Sequence, residues 1–170
     1  MARRVSLKEF QEGLASRLKA AATEAAPSTR LGFEAGGGHW LATLDSSGEV
    51  LQVPEIQRVP LTRDWFLGVS NIRGSLYGVS DFGAFLGRGA TVRGPENRLL
   101  LIGQPHGVNC ALLVSRLAGL RNVADYESEP KGAPAGWWSS AWRDKEGRVW
   151  REIDTAQLLA HREFLDIAVH

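Results

Sequence analysis

Few side chains in these 170 residues are equipped for covalent or acid–base chemistry: one cysteine, Cys110, and four scattered histidines, the last of them the terminal His170. His106 lies shortly before Cys110, so a Cys/His nucleophile is the first chemistry to weigh. Such a pair needs the base within hydrogen-bond reach of the sulfur and a third group to orient the base. Cys110 instead falls inside the apolar run Val108 to Val114, where a thiol packs as a small hydrophobe and is inert. His39 has no second ligand at metal spacing and reads as a surface or capped imidazole. Asp81 stands just before the short segment Phe82 to Leu86, the place of a helix cap. No catalytic residue, metal or cofactor is therefore expected.

Two further groupings suggest recognition. The glycines between Arg88 and Asn97 do not join a strand to a helix N-terminus at phosphate-cradle spacing, so a solvated loop is expected there. Trp137, Trp138, Trp142 and Trp150 fall within 14 residues. Base stacking would need interleaved basic residues or a strong positive charge, and the net charge is +1, from 20 basic and 19 acidic residues. Structural packing is expected of these rings, with no nucleic-acid partner, and an exposed tryptophan would suit a protein interface. One charge is singled out by position: Arg73, in Asn71-Ile72-Arg73-Gly74 between two apolar runs.

These residues need elements to hold them. Trp65 to Gly87 reads as two strands joined tightly at Arg73, followed by a short helical segment. Leu31–Ala35 and His39–Leu44 flank Gly36-Gly37-Gly38, a hairpin turn, and Val50 to Ile56 follows as another strand. Pro54 cannot donate to a ladder and must face an edge or bulge. Arg98–Ile102 and Val108–Val114 form a hairpin, and the run to Leu120 reads as strand, turn, strand. Residues 122–136 are expected to be irregular; beyond them a tryptophan-rich hairpin precedes a short helix capped by Asp154 or Thr155. Residues 6–24 carry a capping box, Ser6 and Glu9, and an apolar stripe of Leu7, Phe10, Leu14 and Leu18. That predicts an N-terminal helical extension over residues 1–28, ahead of a main domain at 29–170.

Length suits one domain or two small subdomains, and 44% hydrophobic with 23% charged residues is ordinary for a globular chain. A single cysteine fits a reducing compartment, and no apolar run reaches the length of a membrane span. A cytoplasmic protein without direct membrane insertion is expected. The fold class is mainly β, with about ten short strands at barrel or sandwich spacing.

The stretch Gly68-Val69-Ser70-Asn71-Ile72-Arg73-Gly74, continuing through Val79 and Asp81, resembles the signature of the CheW-like adaptors of bacterial chemosensory arrays. Trp65 and the closing Phe85-Leu86-Gly87 are closest to the PilI-type branch, which serves type IV pilus twitching motility. Val53, Glu55 and Ile56 match a second element of the family, and Ile153 to Leu159 match its ending. Where many members carry Gly-φ-φ-Val-Asp (φ apolar), this chain has Ala111-Leu112-Leu113-Val114-Ser115-Arg116, so partner contacts are not carried over there.

The resemblance implies two intertwined five-stranded β-barrels with helices at the termini. It implies a non-catalytic scaffold coupling methyl-accepting chemoreceptors to a CheA-type histidine kinase, with Val53, Glu55, Gly68, Asn71 and Arg73 at the interface. Glycine at 68 would permit close backbone approach, and Glu55 and Arg73 would supply charge-assisted bonds. For Arg73 the alternative is a bridge to Asp81, or bonds to carbonyls between the barrels. The alternative function is a small β-barrel enzyme or an interaction module outside chemosensory signalling.

Overall fold

A computed structural model describes residues 27–103, 106–130 and 136–170; the helix expected over residues 6–24 lies outside the described residues. Among the described residues, eleven strands form two sheets. The first has the order β8-β1-β2-β11-β10-β9, from β1 (Thr29–Ala35), β2 (Gly38–Thr43), β8 (Arg116–Asn122), β9 (Glu127–Glu129), β10 (Trp138–Arg143) and β11 (Val149–Ile153). The second has the order β3-β6-β7-β5-β4, from β3 (Glu49–Gln52), β4 (Phe66–Ile72), β5 (Ser75–Asp81), β6 (Arg98–Leu101) and β7 (Cys110–Val114). The second sheet is thus an uninterrupted insertion between the strands of the first. Pairing is antiparallel except between β2 and β11 and between β5 and β7.

Both sheets curl. A flat sheet of six strands would separate β8 from β9 by roughly 24 Å. The link between them is Val123 to Tyr126, three of whose residues are coiled into a 3-10 turn, and even fully extended such a link spans only about 18 Å. In the second sheet the chain beyond β3 swings across to β4, the opposite edge. There Gln57 pairs with Val69 through N–H to carbonyl bonds of 2.8 and 2.9 Å. The mainly β fold expected from sequence is present as two such sheets, of six and five strands rather than two of five, with the edges brought together by links and a single bridge rather than by full ladders.

Side-chain alternation divides the interior three ways. Leu99, Leu101, Ala111 and Leu113 point into the second sheet's own core with Ile72, Tyr77 and Val79. Their neighbours Leu100, Cys110, Leu112 and Val114 point the other way, into a core shared with Phe33, Trp40, Phe82, Trp137, Trp138 and Ile153. Leu41, Val123 and Trp150 fill the first sheet. Strands β6 and β7 are buried on both faces, which is why they read as unbroken apolar runs.

Local expectations meet mixed outcomes. The glycine turn between β1 and β2 and the hairpin β10–β11 form as expected. Val50 to Ile56 is a strand only to Gln52, because Pro54 interrupts the ladder and the chain leaves for β4. Within the segment expected to be irregular, Glu127–Glu129 pairs along β10 as a strand, while residues 131–135 lie outside the described residues. Asp154 caps the helix Thr155–Ala160, its Oδ1 accepting from the Gln157 amide at 3.0 Å. Among the described residues no helix is long and apolar enough to cross a membrane.

Candidate functional site

The five residues singled out by sequence lie along one seam, where the chain after β3 runs beside β4. Gly68 sits at a bulge with φ of +132°, a conformation side chains rarely adopt. A Cβ there would meet the Gln57 carbonyl oxygen at 2.0 Å and the Arg58 Cα at 2.9 Å. The close approach expected at Gly68 is therefore made by the chain's own backbone. Ser70 Oγ, buried beside it, donates to the Glu55 carbonyl at 2.7 Å and fixes the second strand of the seam.

This arrangement separates the roles of neighbouring side chains. Val53 and Ile56 are half-buried and pack on the second sheet's core. Glu55 faces solvent, and its carboxylate has no ion pair among the described residues. Asn71 is exposed, yet its Oδ1 accepts from the Gly74 amide at 2.9 Å and so holds the turn. Arg73 and Gly74 both have positive φ, 52° and 83°, as a two-residue hairpin turn that follows the strand twist requires.

Arg73 does not bridge to Asp81 and does not reach between the sheets. Its guanidinium forms a two-pronged pair with Glu49 at the start of β3, Nη1 donating to Oε2 at 2.7 Å and Nη2 donating to Oε1. The bond to Glu49 raises the Arg73 pKa. The side chain stays 70% exposed. Asp81 is buried and is the expected cap: Oδ1 accepts from Ala84 N at 3.2 Å, and Oδ2 from Thr91 N at 2.7 Å.

Sequence reasoning missed two members of this surface. Glu49 is one, because its pairing with Arg73 spans the sheet. Leu76 is the other: it pairs across the hairpin with Asn71 and is 60% exposed. An isolated leucine one residue into a strand carries no signal of which face it takes.

The catalytic candidates separate. Cys110 lies in the shared core, and burial pushes its thiol up to about 12, far from the thiolate that attack requires. His106 is exposed in the turn before it. Of the four tryptophans, Trp137, Trp138 and Trp150 are buried in the cores and Trp142 is half-buried against them. Arg116 grips Glu34 of β1 with two bonds of 2.8 Å, which lowers the Glu34 pKa. Its role is to tie β8 to β1.

Comparison with known proteins bears on the family and the fold. Over 143 residues the chain is 29% identical to protein PilI of Pseudomonas aeruginosa, covering 82% of this chain and 79% of that protein. The scaffolding protein CheW of Thermoanaerobacter tengcongensis superposes with a TM-score of 0.65 at 16% identity, over 76% of this chain and 86% of that one, a likeness of fold. The CheW-like domain model matches residues 30–163, and the chain belongs to that family.

Proposed function

We propose that this protein is a non-catalytic cytoplasmic adaptor that couples chemoreceptors to a CheA-type histidine kinase in a pathway controlling type IV pilus twitching motility. Family membership and similarity to PilI support an adaptor in chemosensory signalling. The observation that carries the reading is the seam itself. An internally fixed backbone presents an unpaired Glu55 carboxylate and the largely exposed Arg73 guanidinium, with exposed Leu76 beside the turn. Two opposite charges around an apolar contact match the anatomy of a protein interface and offer no machinery for turnover.

Within this reading Glu55, Arg73 and Leu76 meet the partner, while Val53, Gly68 and Asn71 hold the surface in shape. Residues 29–170 form the adaptor domain and residues 1–28 an extension. Calorimetric titration against the kinase's regulatory domain tests the assignment. Glu55→Lys and Arg73→Glu should each weaken binding by roughly tenfold or more, since reversal replaces attraction by repulsion. Circular dichroism of both should match the parent. Parent-like affinity in both variants would remove the seam from the kinase interface.

A further inference from the structure

A second surface lies on other elements, around the loop between β5 and β6. Residues 87–97 have no regular structure, yet two buried polar side chains fix their course. The Asp81 carboxylate takes the Thr91 amide on Oδ2 and the Thr91 hydroxyl on Oδ1, both at 2.7 Å. Asn97, also buried, accepts from Gly94 N at 2.9 Å and donates to the Ser115 carbonyl at 3.0 Å. The Arg88 stem lies against Gly36 in the β1–β2 turn, so closely that a Cβ on Gly36 would meet it at 2.9 Å. Buried polar anchors of this kind rigidify a segment and cut the entropy lost when it binds.

What the loop then presents is unused inside the molecule. Val92 is 88% exposed. The guanidinium groups of Arg88 and Arg93 have no hydrogen bond or ion pair among the described residues. Glu96, the loop's one carboxylate, borders the same hollow but acts on Arg116, so the two guanidinium groups outnumber it there. Between the loop and Gly36-Gly37 runs an open hollow of about 590 Å³, also bordered by Ser115.

We infer that this hollow is a docking site for an extended acidic peptide segment of a partner protein. Carboxylates of the segment pair with Arg88 and Arg93, and an aliphatic side chain between them packs on Val92. Small glycines at the hollow's wall leave backbone within reach of the peptide's own amides. A polyanion such as a lipid surface fits less well, because two guanidinium groups on a chain of net charge +1 make no extended basic face.

Nuclear magnetic resonance titration of the full chain with a capped Gly-Glu-Leu-Glu-Gly peptide provides the test. Amide shifts confined to residues 88–97 and 36–37 are expected, saturating on the order of millimolar and weakening as salt rises. The Gly-Gln-Leu-Gln-Gly peptide should not bind, and Arg93→Glu should weaken the acidic peptide at least about fivefold. Exposure of Arg93 makes that variant safe for folding. No shifts at these residues, equal binding of the two peptides, or shifts at the Arg73 turn instead would each overturn the inference. So would binding of anionic phospholipid vesicles through Arg93 with no response to the peptide. No kinase or receptor enters this experiment, so its outcome is independent of the adaptor assignment.

Discussion

Two hairpins of this protein carry the same chemical pair, an arginine against a carboxylate, and use it oppositely. Beyond β10 the Asp144 carboxylate is buried. Its Oδ1 accepts from the amides of Glu146 and Arg148 at 3.0 and 2.9 Å. Its Oδ2 accepts from Arg148 Nε at 2.7 Å and from Trp150 Nε1 at 2.8 Å. At the turn after β4, Arg73 is the one donor to the Glu49 carboxylate among the described residues, and the guanidinium stands largely in water. A buried carboxylate with four donors is fixed by the cost of leaving any of them unmet. An exposed pair with one arginine gains little from holding together and can be re-formed with another molecule's carboxylate. Burial, more than residue type, separates a structural ion pair from one available for recognition.

The largest effect falls on the backbone beneath the exposed hairpin. Gly68→Trp should cost roughly 3 kcal/mol or more, because even the first added carbon collides with the Gln57 carbonyl and the required φ is strained. Thermal unfolding near the parent midpoint would show that the seam is loose and that the contrast between a fixed backbone and free side chains fails.

Next comes the buried pair. Asp144→Ala leaves the Trp150 indole N–H and two backbone amides without an acceptor and should destabilise by roughly 2–4 kcal/mol in urea unfolding. A loss below about 1 kcal/mol would mean that water replaces the carboxylate and that burial is not the deciding variable.

Acid titration sharpens the same point with a smaller effect. Burial alone would raise the Asp144 pKa, yet the bonds from Trp150 and Arg148 bring it from 3.8 down to about 2. A depressed folded-state value means that the unfolded chain binds the proton first as pH falls. This contribution is fully present above the ordinary value and is lost as pH drops from 3.8 through about 2. Stability measured across that window should fall less steeply in Asp144→Ala than in the parent; an unchanged slope would assign the acid sensitivity to other carboxylates.

The smallest effect on stability belongs to the exposed pair. Arg73→Ala should change the unfolding free energy by no more than about 1 kcal/mol. A loss above about 2 kcal/mol would make the turn pair as structural as the buried one and erase the difference between the hairpins.

Much of this was legible in the chain. Alternation and turn residues mark the β1–β2 and β10–β11 hairpins because those pairings are local. The Asp81 cap is likewise local, three residues from its amide partner at Ala84. The signature from Gly68 to Asp81 led to the surface and to the family, but the partner of Arg73 had to come from β3, on the opposite edge of the sheet. Pairing between distant strands leaves no periodic trace, so Glu49 was invisible. The same cause hid β9: three residues, two of them glutamates, resemble a loop until β10 supplies the ladder. Gly68 was recognised as a site of close approach, while the identity of the approaching backbone depended on a crossing that follows Pro54.

The nesting of one sheet within the other also constrains the chain as it leaves the ribosome. Strands β3 to β7 occupy residues 49–114 without interruption, so their ladder can be complete while the rest is still being synthesised. The β1–β2 hairpin can form early, but the second edge of β1 must wait for β8 and that of β2 for β11, whose last residue is Ile153. Until then the shared-core faces of β6 and β7, with Leu100, Leu112 and Val114, lie open. Those strands are almost wholly apolar and carry no proline, and transiently exposed apolar strands make a nascent intermediate prone to aggregate. Between the emergence of residue 114 and that of residue 153, the shared core therefore lacks the side chains that β10 and β11 bring to it.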